Sequence, residues 1–348
     1  MADLKKPVRI LLLLNWREQG KWDLYRSLLE RFTTVDVVQP YAGKVPRPGW
    51  FWRLSRYWSE FYLPLSAYGM RNRYDVIVSW TLRMGTVLGL LRRLPGSSGG
   101  AKHLLYDFHV NLERNDPAYR LKMFFTRPAL PGIDYFLTTS TREETIYSRL
   151  FSIPRSKMGF FPIAPPRYFI GSHSGRVSDY IFTYGNSDRD FDLLVDAVTE
   201  LPARLVILSQ AYSPRRRFPD NITLITKKRI GQDLIDLIAG ARMVVLPLVD
   251  YRVAAGQTAM LESMAVGRPL IVTANLATLE YGRDGDTVLF HHAGDGAQLR
   301  RCIESLLASK EQAEAMGRRG QAAVSRLPDR QVALMARILS YLSGVGEE

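Results

Sequence analysis

Residues 243–273, MVVLPLVDYRVAAGQTAMLESMAVGRPLIVT, constrain the fold more than any other stretch of the chain. An apolar run at 243–248 has the length and β-branched content of a buried strand, and small residues at 254–258 follow as a loop. A helix over 259–266 then ends at Gly267-Arg268-Pro269, before a second apolar run at 270–273. Strand, loop, helix and strand in that order build a parallel sheet. A loop of Ala and Gly lets the backbone approach a ligand closely, and the unpaired N–H groups at a helix start favour an anion. Phosphate is the natural guest. Glu262, an early helical residue among small and apolar neighbours, is suited to accept hydrogen bonds from sugar hydroxyls. The competing reading is a plain βαβ unit, with Glu262 capped or solvated.

The pattern AGQTAMLESMAVGRPLIVT resembles the nucleotide-sugar-binding segment of retaining glycosyltransferases of the GT-B architecture, close to glycosyltransferase family 4. The fold this implies is α/β, with two Rossmann-like domains facing across a cleft. In that family a Glu at the position of Glu262 holds the donor ribose, and the preceding loop, here Ala255, Gly256, Gln257 and Thr258, holds the diphosphate. The family's other Glu, eight residues earlier, falls on Ala254, so the usual contact to the donor sugar departs from the pattern. Gly185-Asn186-Ser187-Asp188-Arg189 is similar to the family's Gly-Arg…Lys-Gly segment, whose two cations grip the pyrophosphate. Arg189 matches the lysine and Asn186 stands in place of the arginine, so one cation is kept and one is lost. A surface ion pair with Asp188 or Asp192 is the other reading of Arg189.

His109 follows a predicted strand at 104–108, at the carboxyl end where parallel sheets place ligands. The Phe108-His109 pair resembles that of family 4 mannosyltransferases, whose His lies beside the donor sugar. The alternative is a capping or core histidine. The resemblance implies His109, Arg189 and Glu262 as catalytic residues, no bound metal, no cofactor beyond the nucleotide-diphosphate sugar as donor substrate, and front-face attack assisted by the leaving phosphate. Residues 279–282 and 285–287 resemble the segment before a late strand of the family.

Residues 48–68, PGWFWRLSRYWSEFYLPLSAY, form an aromatic and basic helix. Helical spacing puts Phe51, Leu54, Trp58, Phe61 and Tyr62 on one face, with Trp50 and Tyr57 at its margins and Arg53, Arg56 and Glu60 opposite. Rings at headgroup depth beside arginines suit a membrane surface; the same pattern also serves a helix packed on a core or on a protein partner. Trp50, Phe51, Trp52, Arg53, Arg56, Trp58 and Phe61 are therefore candidate membrane or acceptor contacts, with Arg120 and Lys122 of a second basic, aromatic helix over 113–127. A solvated basic face is the other reading of that second helix.

A chain of 348 residues with 46% hydrophobic and 23% charged content suits two ordinary domains. The expected division is 1–165 as the acceptor domain, 166–178 as a Pro, Gly and Ser linker, 179–328 as the donor domain, and 329–348 as a helix crossing back to the first. Cys302 is the only cysteine, which excludes an internal disulfide and cysteine zinc clusters and points to a reducing compartment. The start MADLKKPVRILLLL lacks a long apolar region and a cleavage site, so it reads as a first strand. A formal charge of +13 suits nucleic acid, an anionic membrane or an anionic substrate; with no zinc-finger or RNP-like motif, peripheral contact at the inner face of an anionic membrane is expected and nucleic acid is not.

The expected activity is therefore transfer of a hexose-type sugar to an acceptor hydroxyl, on a lipid-linked or membrane-surface glycan, by a cytoplasmic enzyme. A catalytically inactive GT-B scaffold subunit and a sugar-nucleotide epimerase of the same fold are the rivals.

Overall fold

A computed structural model describes residues 8–15, 24–40, 49–96, 99–110, 116–171, 177–249 and 255–344. The strands are β1 (Ile10–Leu13), β2 (Val35–Val38), β3 (Val76–Thr81), β4 (Lys102–Asp107), β5 (Tyr135–Thr138), β6 (Met158–Phe160), β7 (Tyr180–Tyr184), β8 (Arg204–Leu208), β9 (Ile222–Ile225), β10 (Met243–Leu246), β11 (Leu270–Thr273) and β12 (Leu289–His291). The helices are α1 (Leu24–Leu29), α2 (Gly49–Gly69), α3 (Leu82–Leu91), α4 (Pro117–Ala129), α5 (Thr141–Phe151), α6 (Phe191–Val198), α7 (Gln232–Gly240), α8 (Gln257–Val266), α9 (Gly296–Ala308), α10 (Lys310–Ser325) and α11 (Leu327–Ser343).

The chain divides into two units, Met1–Pro162 with Arg330–Glu348, and Ile163–Asp329. Each holds one six-stranded parallel sheet, in the orders β2-β1-β3-β4-β5-β6 and β12-β11-β10-β7-β8-β9. This is the GT-B pairing of Rossmann-like folds. Strands with helices on both faces bury both sides, which is why ILLL of β1 and MVVL of β10 are apolar throughout and fully buried. The short β6 carries too little apolar sequence to stand out before the fold is known.

The first unit is completed by α11, whose Met335, Ile338, Leu339 and Leu342 recur at helical spacing and join the core of β1, β3 and β4. Upstream, Ala164 and Phe169 pack in the core of the second unit, so the boundary falls at 162/163, ahead of the linker expected at 166–178.

On α2 the buried stripe is Ser59, Glu60, Leu63 and Ala67. Tyr57, Trp58, Phe61 and Tyr62 face outward, against the reading in which the aromatic face packs on the core, and Glu60 is buried rather than grouped with solvated arginines. The reason is pairing: Glu60 accepts a hydrogen bond from Asn15 Nδ2 at 2.7 Å and forms an ion pair with Arg83. Side chains at Trp50, Phe51, Trp52, Arg53 and Arg56 lie outside the described residues. No helix among the described residues is long and apolar enough to cross a membrane.

In the second unit α8 is buried along most of its length, its Ala259, Met260, Leu261, Met264, Ala265 and Val266 joining the core, with Gly267 in the left-handed region (φ 81°) closing its last turn on the carbonyls of Met264 and Ser263. Helix α10 approaches so closely that a Cβ on Gly317 would collide with the Gly267 carbonyl oxygen. Gly317→Ala gains about 0.5–1 kcal/mol of helix propensity but overpacks a backbone contact at about 1–3 kcal/mol. Net destabilisation is expected, read as a lower denaturant midpoint with an unchanged m-value.

Candidate functional site

In the second sheet the strand order reverses between β7 and β10, and at such a switch point the loops leaving the two strands diverge and open a crevice. Residues 185–190 leave β7 and residues 247–249 leave β10, and the two segments pair: Asp190 N donates to the Pro247 carbonyl at 3.0 Å and Val249 N to that of Asp188 at 3.2 Å. Arg189 is bridged to Leu248 in the same ladder. Its Nε donates to the Tyr184 carbonyl at 3.0 Å and its Nη1 to that of Ser187 at 2.9 Å, while Nη2 makes no hydrogen bond among the described residues. The expected alternative, an ion pair with Asp188 or Asp192, is not what forms. Asp192 instead accepts from the Tyr212 hydroxyl and pairs with Arg215. Gly185 (φ 131°) is required here, since a Cβ would stand 2.7 Å from the Arg189 guanidinium.

Asn186 does not act as a free polar arm. Its Oδ1 accepts from Gln210 N at 2.8 Å and from Ser209 Oγ at 3.2 Å, and its Nδ2 donates to Gln210 Oε1 at 3.0 Å, so it ties the loop after β7 to the loop after β8.

Across the switch point, Gly256 is in the left-handed region (φ 84°) and opens α8, and no side chain caps the helix start. The N–H groups of Gln257, Thr258 and Ala259 have no intrahelical acceptor, so the anion-favouring end of the helix faces the loop. Ala254 lies outside the described residues. Glu262 lies one turn into α8, where its Oε2 accepts from the Tyr184 hydroxyl at 3.1 Å; Oε1 has no partner among the described residues. Burial pushes the carboxyl up to about 7, against the opposing effect of the Tyr184 hydrogen bond. Tyr184 thus touches both candidates, Arg189 through its carbonyl and Glu262 through its hydroxyl. Its position as the last residue of YIFTY was the available signal: a phenol ending a buried strand needs a buried partner.

A second set of residues that sequence reasoning missed holds the loop before α8. Asn275, almost wholly buried, donates from Nδ2 to the Ala255 carbonyl at 3.0 Å, and its Oδ1 accepts from the N–H groups of Ala277 and Thr278. Leu248 N donates to Thr273 Oγ1 at 2.7 Å. With His291 Nδ1–H donating to the His292 carbonyl, His291 Nε2 accepts the Thr273 hydroxyl at 2.9 Å. Leu248 and Ala255 are therefore both held by residues at or just after the end of β11.

His109 belongs to the first unit, beyond β4, and sits in a carboxylate cluster. Its Nδ1 donates to Glu143 Oε1 at 2.9 Å, and that carboxylate also accepts from Tyr147 Oη at 2.9 Å and Thr139 Oγ1 at 3.1 Å. The Glu143 hydrogen bond raises the His109 pKa, and desolvation raises that of nearby Asp107. Glu143, in the first turn of α5, thus orients an imidazole, while Ser140 accepts from Arg142 N at the helix start. Arg120, Lys122, Trp58 and Phe61 are exposed on α4 and α2 of the same unit.

The comparisons bear on this arrangement. Residues 179–309 match the family model described as Glycosyl transferases group 1. The match lies within the second unit, the one that holds this switch point. Similar solved structures include sucrose-phosphate synthase from Thermosynechococcus elongatus (TM-score 0.70, 17% identity, 97% of this chain and 100% of that one). Others are Anabaena HepE in complex with UDP-glucose (TM-score 0.68, 12% identity, 97% and 100%) and the lipopolysaccharide outer core galactosyltransferase WaaB (TM-score 0.65, 11% identity, 96% and 99%). No curated protein sequence matches the chain.

Residues 188, 190 and 192 of the second unit are aspartates, an Asp-x-Asp spacing that corrects the expectation that the sequence holds no such motif. Asp190 caps α6 and Asp192 holds Tyr212, and no group of three or more His, Cys, Asp or Glu among the described residues is arranged to hold a metal.

Two outcomes follow for this domain. Because the folded-state pKa of Glu262 stands near 7 against an ordinary 4.5, the protonated form is preferred in the fold, and its contribution to stability is lost as pH rises from about 4.5 through about 7. Glu262→Gln should flatten that decline in unfolding measurements across pH 4.5–8, and a hydroxyl-bearing ligand should bind wild type more tightly above pH 7 than below it. Asn275→Ala leaves the Ala255 carbonyl and two buried N–H groups without partners. The loss of about 1–3 kcal/mol per unsatisfied group should appear in denaturant unfolding.

Proposed function

We propose that the chain is a retaining, metal-independent hexosyltransferase of the family 4 kind, moving a sugar from a nucleoside diphosphate sugar to an acceptor hydroxyl on a lipid-linked or membrane-surface glycan. The observation that carries this reading is the convergence of Glu262, Arg189 and the uncapped start of α8 on one switch point. Glu262, with one oxygen held by Tyr184 and the other unengaged, accepts the ribose hydroxyls. Donation from those hydroxyls stabilises the carboxylate, so donor binding draws its pKa down. The amides of Gly256, Gln257 and Thr258 and the unengaged Nη2 of Arg189 receive the diphosphate. As the glycosyl bond breaks, negative charge grows on the leaving phosphate, and these fixed donors lower the barrier because they need no reorganisation. Arg189 is held by two carbonyls and is a preorganised cation rather than a flexible one.

His109, oriented by Glu143, supplies a hydrogen bond to the sugar or the acceptor from Nε2 in this reading. A hexose is supported by the UDP-glucose complex of HepE and the galactosyltransferase name of WaaB, and a lipid-linked acceptor by the lipopolysaccharide substrate in that name. The outward aromatics of α2 support peripheral contact with the inner face of an anionic membrane.

The rival reading, an inactive scaffold, is favoured by one observation: Asn186 replaces a phosphate-gripping cation and is engaged within the loops. The deciding experiment presents UDP, GDP, ADP and dTDP sugars with a lipid-linked glycan extract and follows labelled sugar into the lipid phase, with and without EDTA. Transfer with retained anomeric configuration and unaffected by EDTA is expected, with Arg189→Ala lowering kcat by roughly 10²-fold or more. Nucleotide binding without transfer to any acceptor supports the scaffold, and product formed without acceptor supports an epimerase.

A further inference from the structure

Helices α2, α3 and α4 of the first unit enclose a surface groove of about 580 Å³. Tyr57 and Phe61 form one wall, Leu121 and Phe125 the other, and Val87 and Leu90 the floor, while Arg83 and Lys122 also line it. Of the fifteen large apolar residues exposed among the described residues, eight lie on α2 and α4, with Trp58 at 65% and Phe124 at 71% exposure. A solvated helix pair has no reason to concentrate them. Charge is just as uneven. The sequences of α2, α3 and α4 hold six cations and one carboxylate, and that carboxylate, Glu60, is buried against Arg83. An apolar slot among cations complements an anionic amphiphile: hydrocarbon fills the slot and phosphate meets the cations.

We propose that this groove seats the hydrocarbon chain of a phosphate-bearing lipid, the anchor of the acceptor. This rests on the lipid-linked acceptor proposed above and adds to it a built slot for one chain, distinct from flat adsorption on a bilayer. A second observation ties the slot to the functional edge of the first sheet. Arg83 stacks on Tyr57 at 4.9 Å and pairs with Glu60, whose other oxygen accepts from Asn15 at 2.7 Å. Asn15 follows β1, which adjoins β3 at the point where the order of this sheet reverses. The lipid slot and the carboxyl edge of the sheet thus share one buried carboxylate.

The test is calorimetric titration of the full chain with butyl, octyl and dodecyl phosphate below their micelle concentrations. Affinity should rise roughly fourfold per added methylene. Val87→Phe fills the floor and should lower dodecyl phosphate affinity at least tenfold, whereas Phe124→Ser, which lies outside the slot, should leave it unchanged while weakening binding to phosphatidylglycerol vesicles. An unchanged melting midpoint verifies the fold of each variant. Equal affinity for butyl and dodecyl phosphate overturns the proposal, as does dodecyl phosphate binding that Val87→Phe does not alter. Concentration-dependent dimerisation abolished by Val87→Phe also overturns it, by making a second copy the occupant. Chain-length-dependent binding with no transfer to lipid-linked acceptors keeps the slot and removes the proposed function; transfer indifferent to chain length does the reverse.

Discussion

A parallel strand can be followed by its neighbour only through a crossover, and this single constraint organises both units. Each of the two sheets is parallel throughout, so every strand end on one edge must feed a loop, and the loops gather where the strand order turns. In the second unit that place falls between β7 and β10, and the residues there serve two needs at once. Arg189 completes the backbone of its own loop and leaves one nitrogen over, while Tyr184 ends a strand and steers a carboxylate. Hydrogen-bonding capacity is thus left over at this point after the fold is satisfied.

The buried polar groups follow the same logic. Glu262, Glu143 and Glu60 are each held by neutral or cationic donors, but the balance differs among them. Glu60 pairs with a guanidinium and Glu143 with an imidazole. Glu262 has only a phenol, so desolvation prevails and its pKa is raised to about 7. The same residue type is therefore held differently in each place, according to what stands opposite.

Much of the architecture was legible in the sequence because apolar runs such as MVVL and LIVT are distinctive when a strand is buried on both faces. The loop and helix that carry Glu262 were legible for a similar reason: small residues before a helix and Gly after it have few other uses. Long-range pairings were not. Nothing adjacent in the chain announces that Asn275 holds Ala255, that Thr273 holds Leu248, or that Tyr184 meets Glu262, since each depends on which strands become neighbours. The outward turn of Trp58 and Phe61 was one of two readings the sequence allowed, because helical periodicity identifies faces without saying which is covered. The core took the smaller face, Leu63 and Ala67, and Glu60 came inside only because Asn15 and Arg83 receive it.

Helix α8 is enclosed along most of its length, with eight of its ten residues buried and its far end pressed against Gly317. Such a helix cannot rotate or slide to suit a different ligand. What it leaves open is the rim: its own first turn and the side chains leaving β7. Diversification of this scaffold toward new donors would therefore proceed by exchanging rim loops around an invariant pivot, and a combinatorial library that randomised the pivot would return mostly unfolded chains.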